Sequence, residues 1–446
     1  MGPAGPSRCR GAYYCVSTWP GTLWSGGTLS LLAEVRGSRP SPAVVRAVGS
    51  GLRRYRLPLL AVAALGELAA VYRLLTSGRH GFIDLDVYRL GVQAWLHGAD
   101  PYGQLPPTQL GTRLPFIYPP FAAVLLSPLA LVPWTVSAIA TFTLTTVGLA
   151  VTLYLACRRI WPGGGQWGAV VLAALALPVA TWLEPVRETY WFGQVNILLM
   201  VLVALDCLVE RPRWPRGVLV GVAAAIKLTP AAFLLFFLVR RDVRAAVWTV
   251  IGGAAASLVG FLAAPSASVR YWFGGLAGAS GVSGSPFATN QTLRGALARL
   301  DLPRAEQSAL WLVLAALVVL AAWMAMRHAV QDGEVVLALG LNATAALLVS
   351  PTSWSHHWVW VAPALLAVLA HAVRWRSVGW GAAALAIAVV FSVGAHNFLP
   401  EGDGRELHWT PGQQLFGDSY VLLSVALLVS AAAAAVRAGR AAADPA

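Results

Sequence analysis

Apolar runs that are almost free of charge recur along the chain from residue 57 to residue 437. Each run is close to the roughly 20 residues that a helix needs to cross the hydrocarbon core of a bilayer. The pattern predicts an all-α polytopic membrane protein with about 12 transmembrane or re-entrant helices, since a few runs are short for a full crossing. The runs are 57–76, 118–134, 136–157, 167–184, 193–209, 217–239, 243–264, 306–326, 334–351, 356–374, 377–396 and 419–437.

The ends of the chain differ from its body in composition. Residues 1–50 mix Gly, Pro, Ser and Arg without a sustained hydrophobic period, and they lack the order of regions typical of a signal peptide. We expect this stretch to be a disordered extension or the product of a misassigned start codon. Residues 51–437 are predicted to form a single transmembrane domain, followed by an Ala-rich tail, 438–446, that carries no chemistry.

Two connections between apolar runs are long, 77–117 and 265–305, and such connections tend to be functional or disordered. Arginines at 53–56 precede the first run, so the cytoplasmic bias of Arg and Lys puts the first long connection on the external face. Within it, Asp84 to His97 has an amphipathic pattern, with Asp84 as N-cap and Gly98 after the end. We expect this helix to lie on the membrane surface.

Lys227 is the only lysine among the 32 Lys and Arg residues, and it lies within the apolar run 217–239. An ionisable residue at membrane depth is costly, by at least about 2.5 kcal/mol, and therefore predicts a functional site. Arginine clusters at 211–216 and 240–244 flank the run, and a single crossing cannot put both on the cytoplasmic side. Pro230 can break the helix, so we predict a re-entrant hairpin with Lys227 near its tip.

Composition excludes several other classes of protein. The chain is 57% hydrophobic and 11% charged, whereas soluble domains have about 25% charged residues. The formal charge of +13 does not indicate nucleic-acid binding, because the arginines lie in short loops where cytoplasmic bias and anionic lipid account for them. The four cysteines show no metal-ligand spacing, and we expect neither a metal site nor a cofactor.

The polar residues that interrupt the apolar runs are few and cluster at the ends of the runs. They include candidate bases, cations and amides, but no nucleophilic Ser/His/Asp order, Gly-rich phosphate loop or HExxH zinc spacing. Transfer of a sugar from a lipid phosphate needs such a mixture, because a carboxylate takes the acceptor proton and cations neutralise the departing phosphate. The candidates are Asp84, Asp86, Tyr118, Arg187, Gln194, Asn196, Lys227, Asn290, Gln291, His356 and His357.

Six short motifs in order carry a resemblance to a known family. They are DLDVYR from Asp84, LPFIYPPF from Leu114, GQVN from Gly193, AIKLTP from Ala225, NQTLRG from Asn290 and SPTSWSHHW from Ser350. The series resembles glycosyltransferase family 87, the actinobacterial polyprenol-phosphate-mannose-dependent alpha-1,2-mannosyltransferases of the GT-C superfold. The resemblance covers roughly residues 55–435 and leaves the N-terminal stretch outside.

The resemblance implies a GT-C-type glycosyltransferase of the cell membrane, with juxtamembrane helices and an active site on the external, periplasmic face. It implies metal-independent, inverting transfer of mannose from polyprenyl-phosphate mannose to a mannosylated glycolipid or lipoglycan. The family's aspartate base falls on Asp84, because the family pattern reads Asp-Leu-x-Val-Tyr. The expected partners are donor, acceptor and membrane lipids, and no obligate protein partner is visible.

The ionisable candidates have structural interpretations beside the catalytic ones. Asp84 could serve only as an N-cap, and Asp86 is a second candidate for the base. Lys227, which we expect to contact the donor phosphate, could instead snorkel or pair with a loop carboxylate. His356 and His357 could be helix-end residues, yet a histidine there can donate to phosphate or to acceptor hydroxyls. Of the two, His356 is preferred as the catalytic group.

The amide and aromatic candidates are harder to assign. Gln194 and Asn196 could bind substrate or hydrogen-bond across helices, the commonest role of amides in membrane bundles. Tyr118 could belong to an interfacial belt or form a sugar platform, and the sequence does not decide between them.

Three further candidates lie in or beside connections between apolar runs. Asn290 and Gln291 occupy the second long connection, where we expect them to close the acceptor site. Arg187 is a secondary candidate for a phosphate ligand, or else the partner of Glu188 in an internal salt bridge.

Three other functions fit parts of the same pattern. The fold could use another polyprenyl-phosphate sugar, such as arabinofuranose or glucose, since sugar choice depends on a few pocket contacts. A lipid or anion transporter could use Lys227 as its anion site, although transporters often show paired broken helices in matching halves, and this chain has one such break. An inactive scaffold would keep its biological effect after replacement of Asp84.

Overall fold

The computed structural model describes residues 51–52, 54–78, 80–274 and 284–443, all within one compact unit of the chain. The predicted extension 1–50 and the last three residues of the predicted tail lie outside the described residues. The described part is helical, with one isolated β-bridge between Asn290 and Trp354.

The α-helices are numbered here in chain order. They are Arg56–Thr76 (α1), Ile83–Leu96 (α2), Pro120–Leu131 (α3), Trp134–Ile160 (α4), Gly165–Trp182 (α5), Glu184–Phe192 (α6), Asn196–Leu208 (α7), Val218–Ile226 (α8), Leu234–Val239 (α9), Val243–Ala263 (α10), Pro265–Phe273 (α11), Leu293–Ala298 (α12), Arg304–Gln331 (α13), Val335–Val349 (α14), Val361–Trp375 (α15), Val378–Val393 (α16), Pro411–Gly417 (α17) and Ser419–Ala443 (α18). Short 3₁₀ helices occupy Pro162–Gly164, Thr229–Phe233, Ser355–Trp360, Ala395–Phe398 and Arg405–His408.

The predicted apolar runs all fall on helices, which confirms the all-helical membrane fold. Within the described residues, seven helices are long and apolar enough to cross a membrane, and the bent pair α6–α7 would be an eighth. Four shorter apolar helices, of 10–17 residues, cover other runs. The number of about 12 transmembrane or re-entrant helices therefore stays a prediction, because several runs are divided or too short to span alone. The seven are α1, α4, Pro162–Trp182, α10, α13, Ser355–Trp375 and Ser419–Arg440.

The segment around Lys227 folds back so that its two ends meet, as a re-entrant hairpin requires, and its place in the membrane stays a prediction. We use that name for residues 218–239. Its first arm, α8, has nine residues and is about 14 Å long, or half the hydrocarbon core. At its base, Arg216 Nε lies 4.0 Å from Asp242 Oδ2, so the two flanking arginine clusters come together. Gly221 packs so closely on α10 that a Cβ there would lie 2.2 Å from the carbonyl oxygen of Thr249.

The arginine-rich turns gather at one end of α7. Arg159 Nη1 is 2.5 Å from Glu210 Oε1, which joins the end of α4 to the residues just after α7. Arg216 donates to the carbonyl oxygen of Asp206, which lies in the last turn of α7. The opposite end of α7 begins with Asn196, about 20 Å away along the 13-residue helix.

The helix predicted from Asp84 to His97 is α2, but its start differs from the prediction. The N-cap residue is Phe82, in a left-handed conformation with φ 57°, and no side chain caps the helix. The interpretation of Asp84 as an N-cap is therefore wrong. Leu85 and Val92 are fully buried, so one face of α2 packs against protein, and Gly98 follows the end with φ 75°.

The two long connections contact each other beside α2. The Arg270 guanidinium, on α11, forms an ion pair with Asp100 and donates through Nη2 to the carbonyl oxygen of Tyr102 at 3.3 Å. The Tyr102 and Tyr271 rings lie 5.6 Å apart between their centroids. The two connections are therefore in direct contact, and Tyr102 also donates to the carbonyl oxygen of Tyr118, just before α3, at 2.8 Å.

A sharp bend at residues 193–195 separates α6 from α7 by 120°. Gly193 has φ 68°, and a Cβ there would lie 2.9 Å from both Leu85 Cβ and Phe82 Cδ1. Glycine meets both demands, because it adopts the left-handed conformation without strain and lets α2 approach. The bend brings Gln194 and Asn196 toward α2 and the re-entrant hairpin.

Candidate active site

A cavity of about 870 Å³ lies among α2, α7, the tip of the re-entrant hairpin and the segment 350–360. Most of its wall is apolar, and the polar groups are concentrated where these elements meet. Seven of the residues predicted from the sequence line it together. They are Asp84, Tyr118, Gln194, Asn196, Lys227, His356 and His357.

Asp84 is held by a chain of hydrogen bonds from α2 to the bend before α7. Gln194 Nε2 donates to Asp84 Oδ2 at 2.7 Å. Gln194 Oε1 accepts from the hydroxyls of Tyr88, at 2.7 Å, and Tyr118, at 3.4 Å. The two tyrosine oxygens lie 3.0 Å apart. Because the tyrosines fix the amide's orientation, Gln194 presents its donor to the carboxylate and holds Asp84 in one position.

Burial sets the proton affinity of this carboxyl. It raises the pKa of Asp84 to about 6, because desolvation disfavours the charged form. The hydrogen bond from Gln194 and the positive charges of Lys227 and His80 oppose the increase but are the smaller effects. A carboxylate with a pKa near neutrality can take a proton from a substrate hydroxyl more effectively than an ordinary aspartate.

Lys227 leaves the end of α8 in extended conformation and reaches three groups in the cavity wall. Its Nζ donates to Asn196 Oδ1 at 3.1 Å, contacts His357 Nε2 at 3.0 Å and lies 5.4 Å from the centre of the Tyr118 ring. Among the described residues, no carboxylate lies within ion-pair distance of this ammonium. An intramembrane cation without a paired carboxylate is suited to an anionic ligand.

The two histidines each present a ring nitrogen without a protein partner. With Lys227 protonated, Nε2 of His357 accepts, so Nδ1 carries the proton, and Nδ1 is buried without a hydrogen bond. His356 Nε2 is likewise buried and unpartnered. The backbone of His356 is fixed, because its carbonyl oxygen accepts from Thr189 Oγ1 at 3.0 Å and from Asn196 Nδ2 at 2.9 Å. Both nitrogens are shielded from solvent, so each is a buried polar atom without a partner in a residue that lines the cavity.

Two candidates from the first half of the chain lie away from the cavity wall. Asp86 Oδ2 accepts the backbone N–H of Gln109 at 2.7 Å and so holds the first long connection. Arg187 donates to the carbonyl oxygen of Trp182 at 3.3 Å and lies over the Trp191 ring. The alternative salt bridge of Arg187 with Glu188 is wrong, because Glu188 pairs with His80, at 3.1 Å.

Asn290 and Gln291 are fully buried beneath the cavity wall rather than in it. Asn290 Nδ2 donates to the carbonyl oxygen of Ser285 at 2.8 Å, and its Oδ1 accepts the Ser353 N–H at 3.1 Å. Gln291 Nε2 donates to the carbonyl oxygens of Ala288 and Gly417, both at 2.9 Å. Both amides therefore organise the second long connection, and their neighbours Phe287 and Thr289 line the cavity.

Glu184 was not predicted, and the structure gives it a supporting position. It begins α6 and is fully buried. Its carboxylate accepts from the Tyr420 hydroxyl at 2.8 Å and from Asn397 Nδ2 at 3.1 Å, and His396 Nε2 lies at 3.3 Å. Ser355 also donates to it, and that residue immediately precedes the two cavity histidines. An acid beside Pro185 at the end of an apolar run was the only signal in the sequence.

The described residues contain no group of three or more His, Cys, Asp or Glu side chains that could hold a metal ion. The cavity instead combines one carboxylate, one ammonium, two imidazoles and two amides. This set can take a proton from a hydroxyl and stabilise a separate developing anion.

The chain resembles a known family and several known proteins in sequence. Residues 116–351 match the sequence profile of glycosyltransferase family 87. The chain is 38% identical over 405 residues to the polyprenol-phosphate-mannose-dependent alpha-(1-2)-phosphatidylinositol mannoside mannosyltransferase of Mycobacterium tuberculosis. The aligned region covers 88% of this chain and 93% of that protein. The protein of the same description from Mycolicibacterium smegmatis is 42% identical over 385 residues, with coverage of 82% and 86%.

Similarity extends to a second group of relatives and to a solved structure. A polyprenol-phosphate-mannose-dependent alpha-(1-2)-phosphatidylinositol pentamannoside mannosyltransferase of Mycobacterium tuberculosis is 36% identical over 387 residues, covering 83% of this chain and 87% of that protein. The crystal structure of ArnT from Cupriavidus metallidurans bound to undecaprenyl phosphate has a TM-score of 0.38 and 16% identity, covering 85% of this chain and 77% of that one.

Proposed function

The chain belongs to glycosyltransferase family 87, and from this premise we propose that it transfers mannose from polyprenyl-phosphate mannose to a hydroxyl of a mannosylated phosphatidylinositol glycolipid. The product linkage is alpha-1,2, formed with inversion at the sugar carbon. The observation that carries this proposal is the meeting of Asp84 and Lys227 in one cavity. The relatives' names supply the sugar and the acceptor class, and they do not favour arabinofuranose, glucose or transport.

In the proposed reaction Asp84 is the general base. As the acceptor oxygen attacks C1 of mannose, Asp84 takes the hydroxyl proton and the bond from C1 to the phosphate oxygen breaks. The electron pair of that bond leaves with the polyprenyl phosphate. The Gln194 amide keeps the carboxylate oriented, since its hydrogen bond occupies Oδ2 at 2.7 Å.

Lys227 and the histidines act on the leaving group in this mechanism. Negative charge on the phosphate grows as the bond breaks, and cations that are already in position stabilise it without reorganisation. Lys227 is fixed by Asn196 and His357, so its remaining donor is free for a phosphate oxygen. In this mechanism the imidazoles of His356 and His357, which line the cavity, supply further contacts. Here His356 binds phosphate or the acceptor hydroxyl rather than serving as the base.

We infer that the cavity opens on the external face of the cell membrane. The support is the separation along α7, where Asn196 lies at the cavity and the turn carrying Arg216 lies at the other end. Arginine-rich turns favour the cytoplasm, so the cavity end would face outward. A membrane-impermeant reagent that reacts with a cysteine introduced at Phe398, which is 71% exposed, should label intact cells. Labelling only after permeabilisation would contradict this orientation.

The proposed donor and acceptor can be tested with purified protein in detergent. Wild-type protein should transfer radiolabelled mannose from polyprenyl-phosphate mannose to phosphatidylinositol mannosides, and alpha-1,2-mannosidase should release the label. Matched donors carrying arabinofuranose or glucose should give at least about 100-fold less product, because a site built around one sugar's hydroxyls strongly rejects its analogues. Equal transfer from another donor, or none from the mannose donor, would contradict the proposal.

The pH dependence of transfer tests the role of Asp84 separately. A base works only when deprotonated, so kcat/KM should rise with pH through about 6 and level off above pH 7, following the pKa of Asp84. Residual transfer by Asp84→Asn should lack this rise, which makes the variant the control for other titrating groups. A wild-type profile that is flat between pH 5 and 8 would exclude Asp84 as the base.

A further inference from the structure

One part of the cavity wall carries aromatic rings and no charge. Phe287, from the second long connection, and Trp354, from the segment before the histidines, both line the cavity. Their ring centroids are 6.2 Å apart, with the planes almost perpendicular at 83°. Phe287 is 36% exposed, so part of its ring surface is not covered by protein. The charged groups of the cavity come from other segments.

Backbone pairing holds the two rings together. Asn290 and Trp354 form the isolated β-bridge, and Gln291 N–H donates to the carbonyl oxygen of Ser353 at 2.9 Å. In addition, Asn290 Oδ1 accepts a hydrogen bond from the Ser353 N–H at 3.1 Å. The second long connection and the histidine segment are therefore joined directly beside the rings.

A fully buried arginine fixes the loop that carries Phe287. Arg299 Nη1 donates to the carbonyl oxygens of Pro286 and Phe287, both at 3.0 Å, and Nη2 donates to that of Asn290 at 3.1 Å. Its charge is paired with Asp418, to which Nε donates at 3.0 Å. Because taking such a pair out of water costs desolvation energy, we attribute to it a role in fixing the loop rather than a gain in stability. A loop fixed in this way presents Phe287 as a preorganised surface.

Different parts of the cavity wall are suited to different parts of the substrates. The phosphate is matched by Lys227 and the histidines, and a polyprenyl chain is matched by the apolar wall that includes Met200 and Val203. The two rings carry no charge that would match the phosphate, and the face of a rigid ring is suited to a rigid, flat partner. A pyranose has a face of C–H groups that packs on the negative face of an aromatic ring, while its hydroxyls point sideways to polar groups and water.

From these observations we propose that Phe287 and Trp354 form a stacking subsite for a sugar ring of the glycolipid acceptor. The inference rests on the proposed function, because it takes the acceptor to be a mannolipid. It goes beyond that function because it assigns two residues to recognition of the acceptor. Neither residue takes part in the chemical step. Neither residue was a candidate from the sequence.

The test uses purified full-length protein with polyprenyl-phosphate mannose and a phosphatidylinositol mannoside. Phe287→Ala and Trp354→Ala should each raise the acceptor KM roughly tenfold, the loss expected for a good aromatic contact. The donor KM and the slow hydrolysis of donor without acceptor should stay within twofold of wild type. Trp354→Phe should restore most of the acceptor affinity. The matched control is Phe273→Ala, which removes the ring of an 81% exposed phenylalanine at the end of α11.

Binding of the acceptor without donor separates this inference from the proposed function. If wild type binds the mannolipid but transfers nothing, and Phe287→Ala loses binding, the subsite stands although the proposed reaction fails. If wild type transfers mannose and both alanine variants keep the wild-type acceptor KM, the subsite is wrong. A raised donor KM with unchanged acceptor KM would also overturn it, as would an equal effect of Phe273→Ala.

Discussion

Replacing Asp84 with asparagine is expected to lower kcat for mannosyl transfer by about 10²–10⁴-fold, the usual contribution of a positioned general base. Asparagine has nearly the same shape and can still accept the hydrogen bond that Gln194 Nε2 gives to Asp84. The variant therefore removes proton affinity and leaves the local structure in place. Donor KM should change little, because the carboxylate makes no contact with the phosphate in the proposed mechanism.

Asp86→Asn is the matched control for this substitution. Asp86 lies two residues along the same helix, and its carboxylate accepts the Gln109 N–H outside the cavity. An asparagine oxygen can accept the same bond, so transfer should stay within a few-fold of wild type. Equal losses in the two variants would indicate damage to the fold of α2. Retention of a tenth or more of kcat by Asp84→Asn would exclude the residue as the base.

Much of the membrane architecture could be predicted because it depends on local sequence. The apolar runs gave the helices, and the conflict between arginine clusters on either side of Lys227 gave the re-entrant hairpin. The contact of Arg216 with Asp242 at its base agrees with that interpretation. The number of helices that cross the membrane stays a prediction, because helix breaks such as that at Gly193 depend on packing against α2, far away in the sequence.

Site residues could be predicted from the sequence where a polar side chain occupies a position that is energetically unfavourable for it. Lys227 and the two histidines are polar groups within or beside apolar runs, and the structure brings them to one cavity. Glu184 was missed because its partners, His396 and Tyr420, are 212 and 236 residues away, and no local pattern links them.

The choice between neighbouring acids also needed the structure. Asp84 and Asp86 are separated by two helical positions, about 200° around the axis, so only one can face a given cavity. The sequence cannot say which face of α2 is toward α7. The contact of Gln194 with Asp84 decides it, and that pair is 110 residues apart.

Replacing Lys227 with methionine should affect the donor side of the reaction. The substitution keeps an unbranched side chain of similar length and removes the charge. We expect kcat to fall by about 10²–10³-fold, the usual effect of removing one preorganised group that stabilises developing charge. Unlike Asp84→Asn, it should also weaken ground-state binding of the phosphate, so donor KM and the inhibition constant of polyprenyl phosphate should both rise.

Inhibition by polyprenyl phosphate is the decisive measurement for Lys227, because this product keeps the phosphate and lacks the sugar. Arg187→Met is the matched control, since it removes a nearby cation that contacts Trp182 and Trp191 outside the cavity wall. That variant should bind polyprenyl phosphate as wild type does. If Lys227→Met also binds it unchanged, the ammonium does not hold the phosphate. If Arg187→Met shows the greater loss, the phosphate site lies nearer α6 than the cavity geometry indicates, and the roles of the two cations must be exchanged.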